Sequence, residues 1–311
     1  MLTRRDFTGL LTTSIASPFL PYPALAQQTP SPSRVPAPRT SVMMWTLNKL
    51  GTFEQNLDRV AEAGYTQIEL VTEFKTWTDA DTNRIVNRMH SLGISVDAIA
   101  GMKLGFADPA GSDAFLAELQ TLIPIVRRFG CGQIILVSGK QASGKQVAGK
   151  DLDQHAVCIE TLKRAAPLLA QAGLTAVIEP IDRLENPTIY LDSVTEAFAI
   201  VKAVDSPAIR VLYDIYHEQR TQGNLLEKFE QNIASVGLIH VADVPGRHQP
   251  GTGEINYPGI YRRLAELKYT GTFAMEFYPA GDPVEVLRSA REQLVRSFDP
   301  GDAIHYGGQA G

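Results

Sequence analysis

The chain has little cysteine, two residues in 311, so disulfides cannot organise its fold. It has no surplus of basic residues. Lys and Arg number 29 against 34 Asp and Glu, a net charge of -5 that argues against a nucleic-acid-binding surface. Histidine is also scarce. Of His90, His155, His217, His240, His248 and His305, the first two fall within predicted helices. Too few remain for the multi-zinc centre of a repair nuclease. The glycine-rich phosphate turn of a doubly wound dinucleotide fold is missing, because Leu47-Asn-Lys-Leu-Gly51 offers one glycine after the first strand. What is present is ordinary for a globular protein: 44% hydrophobic and 20% charged residues, which excludes a disordered chain or a coiled coil.

The first 26 residues have the form of an export signal. Arg4 and Arg5 precede a weakly apolar run from Gly9 to Phe19, and Ala24-Leu-Ala26 offers a small-x-small cleavage site. The Thr-Arg-Arg-x-Phe core is similar to the twin-arginine type. A membrane anchor fits less well, because the run carries Pro18, Pro21 and Pro23 and falls short of the ~20 apolar residues of a spanning helix. The expectation is cleavage near Ala26 and a periplasmic mature protein, with the twin-arginine export machinery as partner of the precursor. Residues 27–40 are rich in Pro and Ser and read as a linker. Residues 299–311 read as a tail.

Between them, residues 41–298 alternate short β-branched runs with longer helical patterns eight times. Expected strands lie at 41–47, 67–71, 95–100, 133–138, 174–180, 209–215, 236–242 and 272–278. Expected helices lie at 52–63, 79–91, 112–129, 151–171, 193–203, 223–232, 258–267 and 283–297. Gly64, Gly93, Gly130 and Gly173 stand where helix C-caps belong, and Ser112, Asp151 and Ser193 can serve as N-caps. Such alternation implies parallel strands with helical crossovers, and eight units in about 260 residues fit a single (β/α)8 TIM barrel.

Barrel enzymes carry their chemistry at the C-terminal strand ends. There the last four strands each end in one ionisable residue: Glu179, Asp214, His240 and Glu276. Strand alternation puts Val177 on the face of Glu179, Leu212 with Asp214, Leu238 with His240 and Ala274 with Glu276. Small or apolar partners suit a barrel interior, so the four polar groups converge. Three carboxylates together repel, and a divalent cation removes the conflict. Three oxygens and one imidazole suit Mn²⁺ or Mg²⁺, with Co²⁺ or Zn²⁺ as further options. His217 and Arg247, in the following loops, are candidates for substrate oxygens, and Glu185 is a candidate support for His217. Trp45 and Trp77 are candidates to line the pocket. Glu69, near the end of the second strand, stays outside the candidate set.

The order Glu179, Asp214, His240, Glu276 resembles the xylose-isomerase-like barrels. Ile178-Glu179-Pro180-Ile181, Tyr213-Asp214-Ile-Tyr-His217 and the run from His240 through Asp243, Arg247 and Glu254 to Tyr257 are similar to hydroxypyruvate isomerases and the related ketose 3-epimerases. The resemblance implies a metal held by those four residues. Glu179 and Glu276 double as the acid/base pair, and His217, Arg247 and Glu185 serve the substrate. The implied reaction is isomerisation of a sugar or keto acid through an enediolate. An exported epimerase or lyase acting on keto-sugars or 3-keto-glycosides is the alternative within the same chemistry, and a non-catalytic sugar-binding barrel is the alternative outside it. The sequence leaves a homo-oligomer open.

Overall fold

The computed structural model describes residues 37–299 except 143–145, 148–149 and 152. The expected export signal lies outside the described residues, as do most of the expected linker and tail. Eight parallel strands close into a barrel: β1 (Arg39–Met43), β2 (Gln67–Leu70), β3 (Ser95–Ile99), β4 (Gln133–Val137), β7 (Thr175–Glu179), β8 (Ile209–Asp214), β9 (Val236–Val241) and β10 (Thr272–Met275). A two-stranded antiparallel hairpin, β5 (Gln146–Val147) with β6 (Lys150–Asp151), interrupts the β4–β7 connection. The barrel begins at Arg39, inside the segment expected as linker, because Arg39 and Thr40 already pair with Thr272 and Phe273 of β10.

The helices follow the apolar periodicity. They are α1 (Phe53–Glu62), α2 (Asp79–Ser91), α3 (Ser112–Arg128), α4 (Gln154–Ala172), α5 (Val194–Val204), α6 (Ile215–Thr221), α7 (Leu225–Asn232), α8 (Tyr257–Glu266) and α9 (Pro283–Ser297). Thr52 starts α1 with a reciprocal cap to Gln55, and Thr78 does the same for α2 with Asp81. Of the expected N-caps, Ser193 caps α5. Asp153 rather than Asp151 caps α4. Ser112 lies inside α3, its hydroxyl bonded to Thr161. Gly64, Gly93, Gly130 and Gly173 all take positive φ at helix ends, as expected.

Two departures shape the site. The first strand stops at Met43, and a 3-10 turn over Met44–Leu47 brings Trp45 above the barrel mouth. The strand reading of that run fails because an apolar sequence alone does not tell a strand from a buried turn. Strand β8 runs directly into α6, which the periodicity missed, because this seven-residue helix is short and its first four residues are all buried.

Most of the core lies between barrel and helices. A separate buried cluster fills the interior, and it contains all four residues expected there: Val177, Leu212, Leu238 and Ala274, with Met43, Ala98, Ala100 and Ile135. Among the described residues no helix is long and apolar enough to cross a membrane.

Candidate active site

Strands β7 to β10 are consecutive neighbours, so the register fixes their ends together. Asp214 pairs with His240, and Ala274 pairs with His240 from the other side. Glu179, Asp214, His240 and Glu276 are all buried, and each offers a ligand atom within 4.8 Å of the others.

Each member is fixed differently. Asp214 closes β8 and opens α6. Its Oδ1 accepts from Tyr216 N at 2.7 Å and His217 N at 3.2 Å, which leaves Oδ2 free of helix duty. That Oδ2 is buried and has no hydrogen-bond partner. His240 has its Nδ1 2.7 Å from Glu276 Oε2, 3.5 Å from Glu179 Oε1 and 3.9 Å from Asp214 Oδ2. Glu276 is clamped on both oxygens. The Trp45 indole donates to Oε1 at 3.0 Å, and Arg247 Nη2 lies 2.7 Å from Oε2.

The charges shift one another. Burial raises the Asp214 carboxyl, with His217 and Arg247 opposing it. Burial would also raise Glu276, but Arg247 and His240 outweigh it and hold this carboxyl well below the usual range. Burial would lower His240, yet the Glu276 and Glu69 carboxylates outweigh it and push the ring well above its ordinary value.

Arg247 comes from the loop after β9, and that loop has a clear organiser. The buried Asp243 carboxylate accepts from Val244 N and Ile255 N on Oδ1, and from Gly251 N and Gly253 N on Oδ2, at 2.9–3.1 Å. Gly253 is required there, since a Cβ would sit 1.9 Å from the Val244 carbonyl oxygen. The long sequence run from His240 to Tyr257 thus encodes a loop wound around one aspartate. It presents Arg247 in the left-handed region at φ 55°. The buried guanidinium donates from Nε to the Glu276 carbonyl at 3.2 Å and from Nη1 to both Glu185 oxygens at 2.8 Å.

One expectation is corrected. Glu185 does not hold His217; it grips Arg247, and its carboxylate is partly exposed. The support for His217 is Asp182, whose Oδ2 lies 2.7 Å from His217 Nδ1, with both side chains buried. Asp182 sits at the turn after β7, where it also accepts from Leu184 N and Glu185 N. A carboxylate three residues past a strand end gave no periodic signal, so the sequence could not separate the two acids. Burial would lower His217, but the Asp214 charge and the Asp182 hydrogen bond outweigh it and push the ring to about 9. Arg220 Nη1 lies 3.1 Å from Asp182, so the cluster of Asp182, Glu185 and His217 is already neutralised by Arg220 and Arg247. Both guanidiniums lie close to the Tyr216 ring, 4.7 Å (Arg220) and 5.0 Å (Arg247) from its centre.

Above the ring opens a cleft of about 420 Å³. Glu179 and Glu276 reach it from below, and Trp45, Val71, Ile135 and Ile181 form apolar walls. Lys75 and Lys103 stand at its edge, with the Lys75 ammonium donating to the Gly101 carbonyl. Trp77 instead packs against Phe53 and Phe129 away from the ring. The donor set fits a divalent cation: three carboxylates, one imidazole and a buried carboxylate oxygen without a hydrogen-bond partner.

A closed barrel with converging acids and one histidine at the C-terminal strand ends defines a (β/α)8 enzyme. Residues 57–296 match the family described as xylose isomerase-like TIM barrel. A putative hydroxypyruvate isomerase of Danio rerio is 31% identical over 248 residues, covering 76% of this chain and 88% of that protein. A hydroxypyruvate isomerase of Escherichia coli K12 is 27% identical over 257 residues, covering 80% and 93%. A crystal structure titled as an AP endonuclease, family 2, from Brucella melitensis superposes with TM-score 0.71 at 24% identity, covering 80% of this chain and 96% of that one, and shares the fold. The chain belongs to the xylose isomerase-like TIM barrel family, and it is an isomerase.

Proposed function

We propose that this protein isomerises a short α-hydroxy keto acid of the hydroxypyruvate type, using a divalent cation held by Glu179, Asp214, His240 and Glu276. The observation that carries this reading is the buried ring of three carboxylates and one imidazole under a small cleft edged by two lysines. The named relatives support the same substrate type.

When bound, the cation, best Mn²⁺ or Mg²⁺, supplies charge stabilisation for the substrate's carbonyl and hydroxyl oxygens. The remaining work falls to the chain. Glu276 is held ionised by Arg247 and His240, so its carboxylate can accept the proton that leaves carbon 3. Glu179 reaches the same cleft and passes a proton taken up from solvent to carbon 2, the hydroxyl proton passes from one oxygen to the other, and Glu276 gives its proton back to solvent before the next turnover. The carbonyl thereby moves from carbon 2 to carbon 3 with no net change in atoms. Trp45 keeps Glu276 aimed through its indole N–H. His217, locked by Asp182, and Arg247 offer N–H groups to substrate oxygens.

The cleft favours a keto acid over a ketohexose or a 3-keto-glycoside. Hydroxyls buried against Val71, Ile135 and Ile181 lose hydrogen bonds to water without replacement, at about 1–3 kcal/mol each. A substrate carboxylate instead finds Lys75 and Lys103. We further propose that the protein works in the periplasm after cleavage near Ala26, a reading supported by the twin-arginine-like pattern at Arg4 and Arg5. The test is a panel of hydroxypyruvate, tartronate semialdehyde, ketohexoses and 3-keto-glycosides, with products identified by NMR. Interconversion of the first two is expected; turnover confined to the sugars would overturn the substrate assignment.

A further inference from the structure

Among the described residues, Glu69 is the one carboxylate that touches the ring and has no part in it. It stands on β2, which is separated from β9 by β10 and β1 in the barrel, so its side chain reaches His240 through the interior. It is fully buried and does not line the cleft, so it is placed to meet neither solvent nor substrate. One oxygen, Oε2, lies 3.0 Å from His240 Nε2, and the other has no hydrogen-bond partner. A buried carboxylate with so few partners costs several kcal/mol, so packing alone does not account for it.

We infer that Glu69 is the positioning residue that decides which nitrogen of His240 faces the other three ligands. The inference rests on the reading that the ring holds a divalent cation. A neutral imidazole has one N–H and one lone pair. The His240 ring is wedged so that Nδ1 faces Glu276, Glu179 and Asp214 while Nε2 faces Glu69. Accepting the Nε2 proton leaves the Nδ1 lone pair directed at the cation site. Without that acceptor, the proton is better placed on Nδ1, where Glu276 Oε2 waits at 2.7 Å, and the ligand atom is blocked. The negative charge of Glu69 also strengthens the imidazole as a donor, an outer-ligand effect that typically changes metal affinity by about 10–100-fold.

Two measurements on the full chain test this. Mn²⁺ is titrated calorimetrically into the wild type and Glu69→Gln, with thermal unfolding of both in chelator. The expected result is at least about tenfold weaker Mn²⁺ binding by the variant, whatever the shift in its metal-free Tm, because the substitution also removes one partner of the buried Glu69–His240 contact. A residue that only supports the fold would lower the metal-free Tm and leave the affinity alone, and that outcome overturns the inference. The second measurement needs no variant. Long-range ¹H–¹⁵N NMR of the Zn²⁺-loaded wild type should show His240 protonated on Nε2. A proton on Nδ1 would overturn the inference whether or not the variant folds. A Glu69→Gln protein that binds Mn²⁺ like the wild type sinks Glu69 alone; a wild type that binds no divalent cation sinks the proposed function with it.

Discussion

Replacing Asp182 with Asn isolates one charge in the site. The side chain keeps its shape and still offers Oδ1 to Leu184 N and Glu185 N. What it loses is the anion 2.7 Å from His217 Nδ1. His217 titrates near 9 in the folded protein against about 6.5 when unfolded, a difference of ~3 kcal/mol at 1.36 kcal/mol per unit. A charge-assisted hydrogen bond contributes about 1.5–3 kcal/mol of that, so the variant should bring His217 down by one to two units. The sign follows from linkage. A histidine whose pKa is raised by folding stabilises fully below about 6.5, and the benefit disappears as pH rises through about 9. Asp182 itself is lowered by folding, so its own titration falls at acid pH, outside this window. Urea unfolding in chelator should therefore show Asp182→Asn less stable than wild type by about 1.5–3 kcal/mol at pH 6. The gap should narrow above pH 9, where His217 is neutral and the Arg220 contact is what the variant still loses. A gap that stays constant from pH 6 to pH 9.5 would refute the pairing.

Glu276→Gln, assayed at an Mn²⁺ concentration shown to load the variant, should reduce kcat by about 10²–10⁴-fold; a loaded variant within a few-fold of wild type contradicts the acid/base role. Lys75→Ala, measured by steady-state kinetics, should raise KM for hydroxypyruvate and leave kcat close to unchanged. An unaltered KM would remove Lys75 from carboxylate recognition. Phe229 is fully buried and stacks on Tyr213 with ring centres 3.8 Å apart, so Phe229→Ala should cost about 3–5 kcal/mol in urea unfolding. A loss below ~1 kcal/mol would mean that α7 adds little to the core.

The barrel was legible because two periodicities alternate cleanly along the chain. Strand period 2 also placed Val177, Leu212, Leu238 and Ala274 inside, and hence their polar partners at one point. The ring members could be read since each ends an apolar strand. The supporting residues could not. Glu69 lies in a strand, but its reach to His240 crosses two other strands and depends on barrel closure. Asp182 and Glu185 lie in one turn with similar local sequence, and only three-dimensional placement gives His217 to the first and Arg247 to the second. Nothing in the local sequence of Asp243 marks it as the organiser of its loop, yet four backbone amides converge on it. Trp45 carried no sign that its strand would break at Met43 and swing the indole onto Glu276.

The most direct test of the account is isomerisation of hydroxypyruvate in D₂O by chelator-stripped and Mn²⁺-reconstituted protein, followed by NMR. The account predicts no turnover when stripped, and recovery with Mn²⁺ to give tartronate semialdehyde carrying deuterium at carbon 2. Full turnover by the stripped protein, or no conversion by a reconstituted protein that demonstrably binds Mn²⁺, would contradict it.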